Sequence, residues 1–234
     1  MKSFSFVIVF LCIFGNGYCQ LEKIDAMVNP NWKSTVQDLG VQWSNNGYLV
    51  KGSIYYHDEM HNGFVKLNDG RSAKDVPLRY NLYSHQVSYT ENGVEMELDK
   101  SAPVHEFGYT YSKDEQQKSV LFRTGYPSIG DNNGKTFYEV VVDRDIALLK
   151  FITKKILEER TTLGAMQKSI IDTETWYIYN ATDKNMVEIK KNKNALMEAL
   201  PQYAERIKSI TDKKKLRLKS DEDWVILLTD LSSK

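Results

Sequence analysis

From about Tyr48 to Ile189 apolar and polar residues alternate largely with a period of two, which predicts strands. The signal is strongest over residues 63–98. Phe64, Lys66 and Asn68 alternate there with Val65 and Leu67, Asn68-Asp69-Gly70 supplies turn chemistry, and residues 76–83 continue as an extended run. A second turn at Glu91-Asn92-Gly93 joins 86–90 to 94–98, where Val94, Met96 and Leu98 alternate with Glu95 and Glu97. Residues 48–56 are strand-like, with Gly52 marking a bulge or a close backbone approach. Further strands are expected over 104–111, 119–124 and 136–142, the first placing Phe107, Tyr109 and Tyr111 on one side. Residues 146–157 fit two patterns. Leu148, Leu149, Ile152 and Ile156 have helical spacing, whereas Leu148, Lys150, Ile152, Lys154 and Ile156 fit one side of a strand. Residues 158–172 read as a polar connection, and 173–180 with 186–189 as a last hairpin.

The period then changes. Leu196, Leu200, Tyr203, Ile207 and Ile210 form one apolar stripe, interrupted by Pro201, so two short helices are expected to meet there. Ser220-Asp221-Glu222-Asp223 resembles a capping box opening a helix that buries Trp224, Val225, Leu228 and Leu231. Strands first and helices last predict an α+β fold: an antiparallel, strand-rich curved sheet or open barrel of hairpins, followed by short C-terminal helices. The expected division is a leader over 1–19, a β-rich domain over 20–189 and a helical segment over 190–234. Residues 20–47 are the least legible, with Asn29-Pro30-Asn31 and Asn45-Asn46-Gly47 as turn signals around Trp32 and Trp43.

Composition changes this picture at the N-terminus. Lys2 precedes an almost unbroken apolar run over 4–14, and Gly17 and Cys19 offer small residues for cleavage, the pattern of a secretory signal peptide. A lipoprotein acylated at Cys19 is the competing reading, disfavoured by bulky Tyr18. No other stretch approaches the roughly 18–20 apolar residues of a membrane helix, so no transmembrane span is expected after signal removal. The 2 cysteines, Cys12 and Cys19, both lie in or beside the signal, so the folded part has no disulfide to rely on. The formal charge of zero hides an asymmetry: residues 184–219 hold eleven Lys and Arg against four Asp and Glu, a net of +7. The default reading is a solvated helix face; the sharper one is attachment to anionic envelope material.

A Gly-x-Val-x-Leu-x-Asp-Gly hairpin, here residues 63–70, followed by Val-Pro-Leu-Arg-Tyr-Asn-Leu-Tyr at 76–83, resembles a group of exported Bacteroidota proteins of uncharacterised function. The Trp-Tyr-Ile-Tyr strand at 176–179 and the helical end fit the same layout. The resemblance implies a strand for 146–157 and carries no catalytic residue.

Candidate chemistry is sparse. His57-Asp58-Glu59-Met60-His61 places two histidines four apart, the nearest approach to a metal pair, but Glu59 stands in neither position that a zinc-protease helix uses. No cofactor and no functional metal are therefore expected. His85 and His105 lack a nucleophile motif, and residues 125–134 lack the Lys-Ser/Thr ending of a phosphate loop. Tyrosines are the surplus: Tyr55, Tyr56, Tyr80 and Tyr83 are the expected ligand-binding group on an open sheet, where rings stack on sugars or anchor a partner. The expectation is a non-catalytic cell-envelope or secreted binding module for a protein or a glycan, exported to the periplasm, envelope or exterior, with no nucleic acid partner. Its alternative is a hydrolase whose concave site brings His57, His61 or His85 within reach of a carboxylate.

Overall fold

The computed structural model describes residues 20–21, 33–35, 49–99, 101–160 and 166–232. The expected signal peptide and the Trp32 to Trp43 turn signals lie outside the described residues. Three short pieces come first: β1 (Gln20–Leu21), β2 (Lys33–Thr35) and β3 (Leu49–Lys51). Ten longer strands follow. They are β4 (His61–Leu67), β5 (Ser72–Asn81), β6 (Gln86–Glu91), β7 (Val94–Leu98), β8 (Val104–Lys113), β9 (Gln116–Arg123), β10 (Tyr138–Val142), β11 (Ile146–Arg160), β12 (Met166–Asn180) and β13 (Asn185–Ile189).

All thirteen belong to one sheet, with the main order β13-β12-β11-β10-β9-β8-β4-β5-β6-β7-β2. Two meanders, β4 to β7 and β8 to β13, lie side by side through the β4–β8 pair. The sheet is antiparallel except for the short β1–β5 and β3–β12 pairings, and it does not close. It does curl, because Lys154 of β11 donates its backbone N–H to Leu82 at the end of β5, 3.3 Å away. Ile152 of β11 accordingly packs in the same core as Val65, Leu78, Tyr80, Phe107 and Phe122.

Local chemistry accounts for the joints. Asn92 and Gly93 both take positive φ, 50° and 78°, the mirror-type turn that matches strand twist. Gly63 of β4 and Gly108 of β8 are diagonal neighbours across the strand pair, so close that a Cβ on Gly63 would lie 2.1 Å from the Gly108 carbonyl oxygen.

The C-terminal helices cover one face of the sheet. α1 (Lys193–Ala199) and α2 (Ala204–Lys214) flank a 3-10 turn at Pro201–Tyr203, and α3 (Asp221–Ser232) packs on β10 and β11. Ile207, Trp224, Leu227, Leu228 and Leu231 bury against Leu148 and Ile178 on that side. On the opposite side Tyr126, Tyr138, Leu149 and Tyr177 form a separate aromatic layer.

Three expectations need correction. Residues 158–160 and 166–172 are strand and not connection, since β11 and β12 pair continuously from Ile146 with Asn180 to Arg160 with Met166. Their outer half is held by cross-strand charges, Lys154 with Asp172 and Lys168 with Glu158, so apolar alternation could not announce it. Among the described residues 49–56 only Leu49–Lys51 is a strand; Gly52, at φ 101°, turns the chain where an added Cβ would sit 3.0 Å from the Ile170 carbonyl oxygen. Val225 is 41% exposed and Leu227 takes the buried place, because a helix beginning at Asp221 turns 224, 227, 228 and 231 inward.

Candidate ligand cleft

Register sets the site. Glu139 of β10 lies opposite Phe122 of β9 on one side and Lys150 of β11 on the other, and Lys150 lies opposite Trp176 of β12. This row crosses the seam between the barrel-like core and the helix-covered core. Two charges placed there by strand alternation have to satisfy each other. Lys150 Nζ is 2.7 Å from Glu139 Oε2, and the Tyr56 hydroxyl donates to the same oxygen at 3.2 Å. Burial pushes the Glu139 carboxyl above its ordinary value against the pull of Lys150 and Tyr56. It raises the Tyr56 phenol far more, with Glu139 adding to the effect. The row continues outward: Lys150 and Lys191 both place their ammonium groups by the Trp176 ring, at 5.4 and 4.1 Å from its centroid, and Lys191 pairs with Asp221.

Above this row opens a cleft of about 520 Å³ between β8 to β11 and the first turns of α3. Glu139 and Lys150 line it together with the tyrosines 56 and 111. Leu121, Val225 and Ile226 supply apolar wall, and Lys113, Lys118 and Glu222 stand among the lining residues.

An aromatic nest adjoins the cleft. His57 lies 4.2 Å from Tyr111 and 4.7 Å from Tyr56 between ring centroids, and His61 stacks on Tyr109 at 5.2 Å and 14°. The two imidazoles are 5.2 Å apart. His57 Nδ1 and the Tyr109 hydroxyl are buried without a hydrogen-bond partner among the described residues. Burial pushes His57 down to about 4, with the neighbouring His61 and Lys113 adding to it, so the ring is neutral near pH 7. His57 and His61 thus meet each other and tyrosines, and no group of three or more His, Cys, Asp or Glu among the described residues is placed to hold a metal.

The four tyrosines singled out from the sequence are not on one face. Tyr56 is in the cleft, Tyr80 is 1% exposed in the core, and Tyr83 is 43% exposed after β5. Tyr55 lies beneath the Arg79 guanidinium, 3.8 Å from ring centroid to Cζ. His85, at φ 58°, shares a 3.2 Å hydrogen bond with the Tyr80 hydroxyl and stacks on Phe151. Within the basic stretch Lys191, Lys193 and Lys214 pair with Asp221, Asp212 and Asp230. Glu139 and Lys150 were missed as site residues. Their signal was a lysine on the same strand face as Leu148 and Ile152, inside the apolar run of β11.

No protein-family description, no curated protein and no solved structure matches this chain. Among the described residues no helix is long and apolar enough to cross a membrane.

Proposed function

We propose that this chain is an exported, non-catalytic binding module of the cell envelope, akin to the Bacteroidota group it resembles, and that it holds its ligand in the cleft above Glu139 and Lys150. One observation carries the reading: the buried charges of the cleft are already bound to each other, while its walls, more polar than apolar, combine charged side chains with the Tyr111 ring and aliphatic Leu121, Val225 and Ile226. A carboxylate engaged by an ammonium and a phenol is poorly placed to act as a base. The cleft volume falls within the roughly 300–1,000 Å³ usual for small-ligand sites, which favours a ligand unit inserted in a groove over a flat partner surface.

The test is capture from solubilised envelope of the native host by the immobilised protein, at low and high salt, beside a Tyr111→Ala variant. Salt-resistant capture that Tyr111→Ala loses supports the cleft. Capture that survives Tyr111→Ala, or that vanishes at high salt, overturns it, and the salt-labile case transfers the role to the basic 184–219 segment.

A further inference from the structure

Resting on the cleft reading, we infer that the ligand is an uncharged saccharide, held through pyranose rings and hydroxyls, and not a polyanion or an ionic peptide. The charge of the lining decides the sign. Three ammonium groups, Lys113, Lys118 and Lys150, stand against three carboxylates, Glu139, Asp221 and Glu222. Two of these six already pair with each other, and Asp221 is engaged by Lys191 from outside the lining. With Lys191 counted, four ammonium groups stand against three carboxylates, a net of +1, too small a field to hold a polyanion by charge alone and of the wrong sign for a polycation.

What it offers instead is short-range and of both polarities. A sugar hydroxyl donates and accepts at once, and it matches a cleft whose lining holds both ammonium donors and carboxylate acceptors. The faces of pyranose rings carry C–H groups and pack on aromatic and aliphatic surface, which the Tyr111 ring and the exposed Val225 and Ile226 provide on opposing elements. Tyr111 is half-buried and braced by His57, so its ring is ordered before a ligand arrives. The orphaned His57 Nδ1 and Tyr109 hydroxyl lie in the nest behind Tyr111, polar capacity that a deep hydroxyl or a bridging water would use.

Calorimetric titration of the purified protein with neutral probes tests this: malto-, cello-, xylo- and chito-oligosaccharides, beside polygalacturonate and heparin as polyanions. The expected result is saturable binding of at least one neutral probe, little changed by added salt. Tyr111→Ala should weaken it roughly tenfold or more. Val225→Arg, which alters an exposed position and leaves the core intact, should do the same by filling and charging the cleft, and Tyr83→Ala should change nothing. Three results overturn the inference: binding of polyanions alone, neutral-probe binding unaffected by Val225→Arg, or no neutral-probe binding. If the last coincides with envelope capture that Tyr111→Ala abolishes and protease treatment of the extract removes, the cleft stands as a site and its ligand is a protein.

Discussion

Glu139 and Lys150 are Cα partners across β10 and β11, and their side chains close a 2.7 Å ion pair on the sheet face where two separate cores meet. Burying an ion pair is weak evidence for stability in itself, since desolvation offsets much of the attraction. Breaking one is different. Lys150→Met leaves Glu139 buried beside only the Tyr56 hydroxyl and should cost about 3–5 kcal/mol. The double variant Lys150→Met, Glu139→Leu should recover most of that loss. Urea denaturation of the three proteins measures both.

His57 predicts a pH dependence whose sign follows from its surroundings. The unfolded chain takes up a proton near the ordinary 6.5 and the folded ring only near 4, so the unfolded state binds more protons between those values. The stability contributed by the neutral ring is therefore full above pH 6.5 and is lost as pH falls towards 4. His57→Phe should flatten the slope of stability in that window relative to the natural chain, and chemical denaturation at pH 7, 5.5 and 4 checks it.

Much of the fold was legible because its joints are written in local chemistry. Asn92-Gly93, Pro201 and Ser220 punctuate the chain where the structure turns, kinks or starts a helix. The outer half of the β11–β12 hairpin was not legible. It is built from Lys154, Glu158, Lys168 and Asp172, whose pairing across strands shows only once the register is known. The site was less legible still, since Tyr56, Tyr111, Glu139, Lys150 and Val225 come from five separate stretches that curvature brings together. Grouping tyrosines by sequence density caught Tyr56 alone, because Tyr80 faces the core and Tyr55 serves Arg79.

Gly63 and Gly108 leave less room for a Cβ than the other described glycines. Gly108→Ala would place a Cβ 2.6 Å from the Val120 carbonyl oxygen and 3.1 Å from the Phe64 ring. Because the first neighbour is backbone, strands must separate, and a loss of about 1–3 kcal/mol is expected. Gly108→Ala should lower the thermal midpoint through crowding alone, whereas Gly70→Ala, which meets open space at φ 88°, should lower it through backbone strain alone; thermal unfolding of Gly108→Ala beside Gly108→Ser, which adds bulk at the same place, should show the larger loss for Ser.

The start of α3 departs from a reciprocal capping box. Ser220 Oγ accepts from the Asp223 N–H at 3.3 Å, but Asp223 Oδ2 accepts from the backbone of Arg217 and Leu218 instead, at 3.0 and 2.8 Å. This holds Leu218 under Trp224, whose indole N–H donates to the Leu218 carbonyl at 3.1 Å. Ser220→Ala should cost about 1 kcal/mol. Asp223→Ala should cost more, about 2 kcal/mol, because it releases the bend as well as the helix start. Thermal unfolding of both variants gives the order.

The most direct test of the cleft as the binding site is amide hydrogen exchange of the protein with and without solubilised envelope extract. Protection should concentrate on β9, β10 and residues 221–226 at the start of α3, and Val225→Arg should remove it. Protection confined to the outer β11–β12 hairpin or to residues 184–219, with the cleft exchanging as before, would contradict the account.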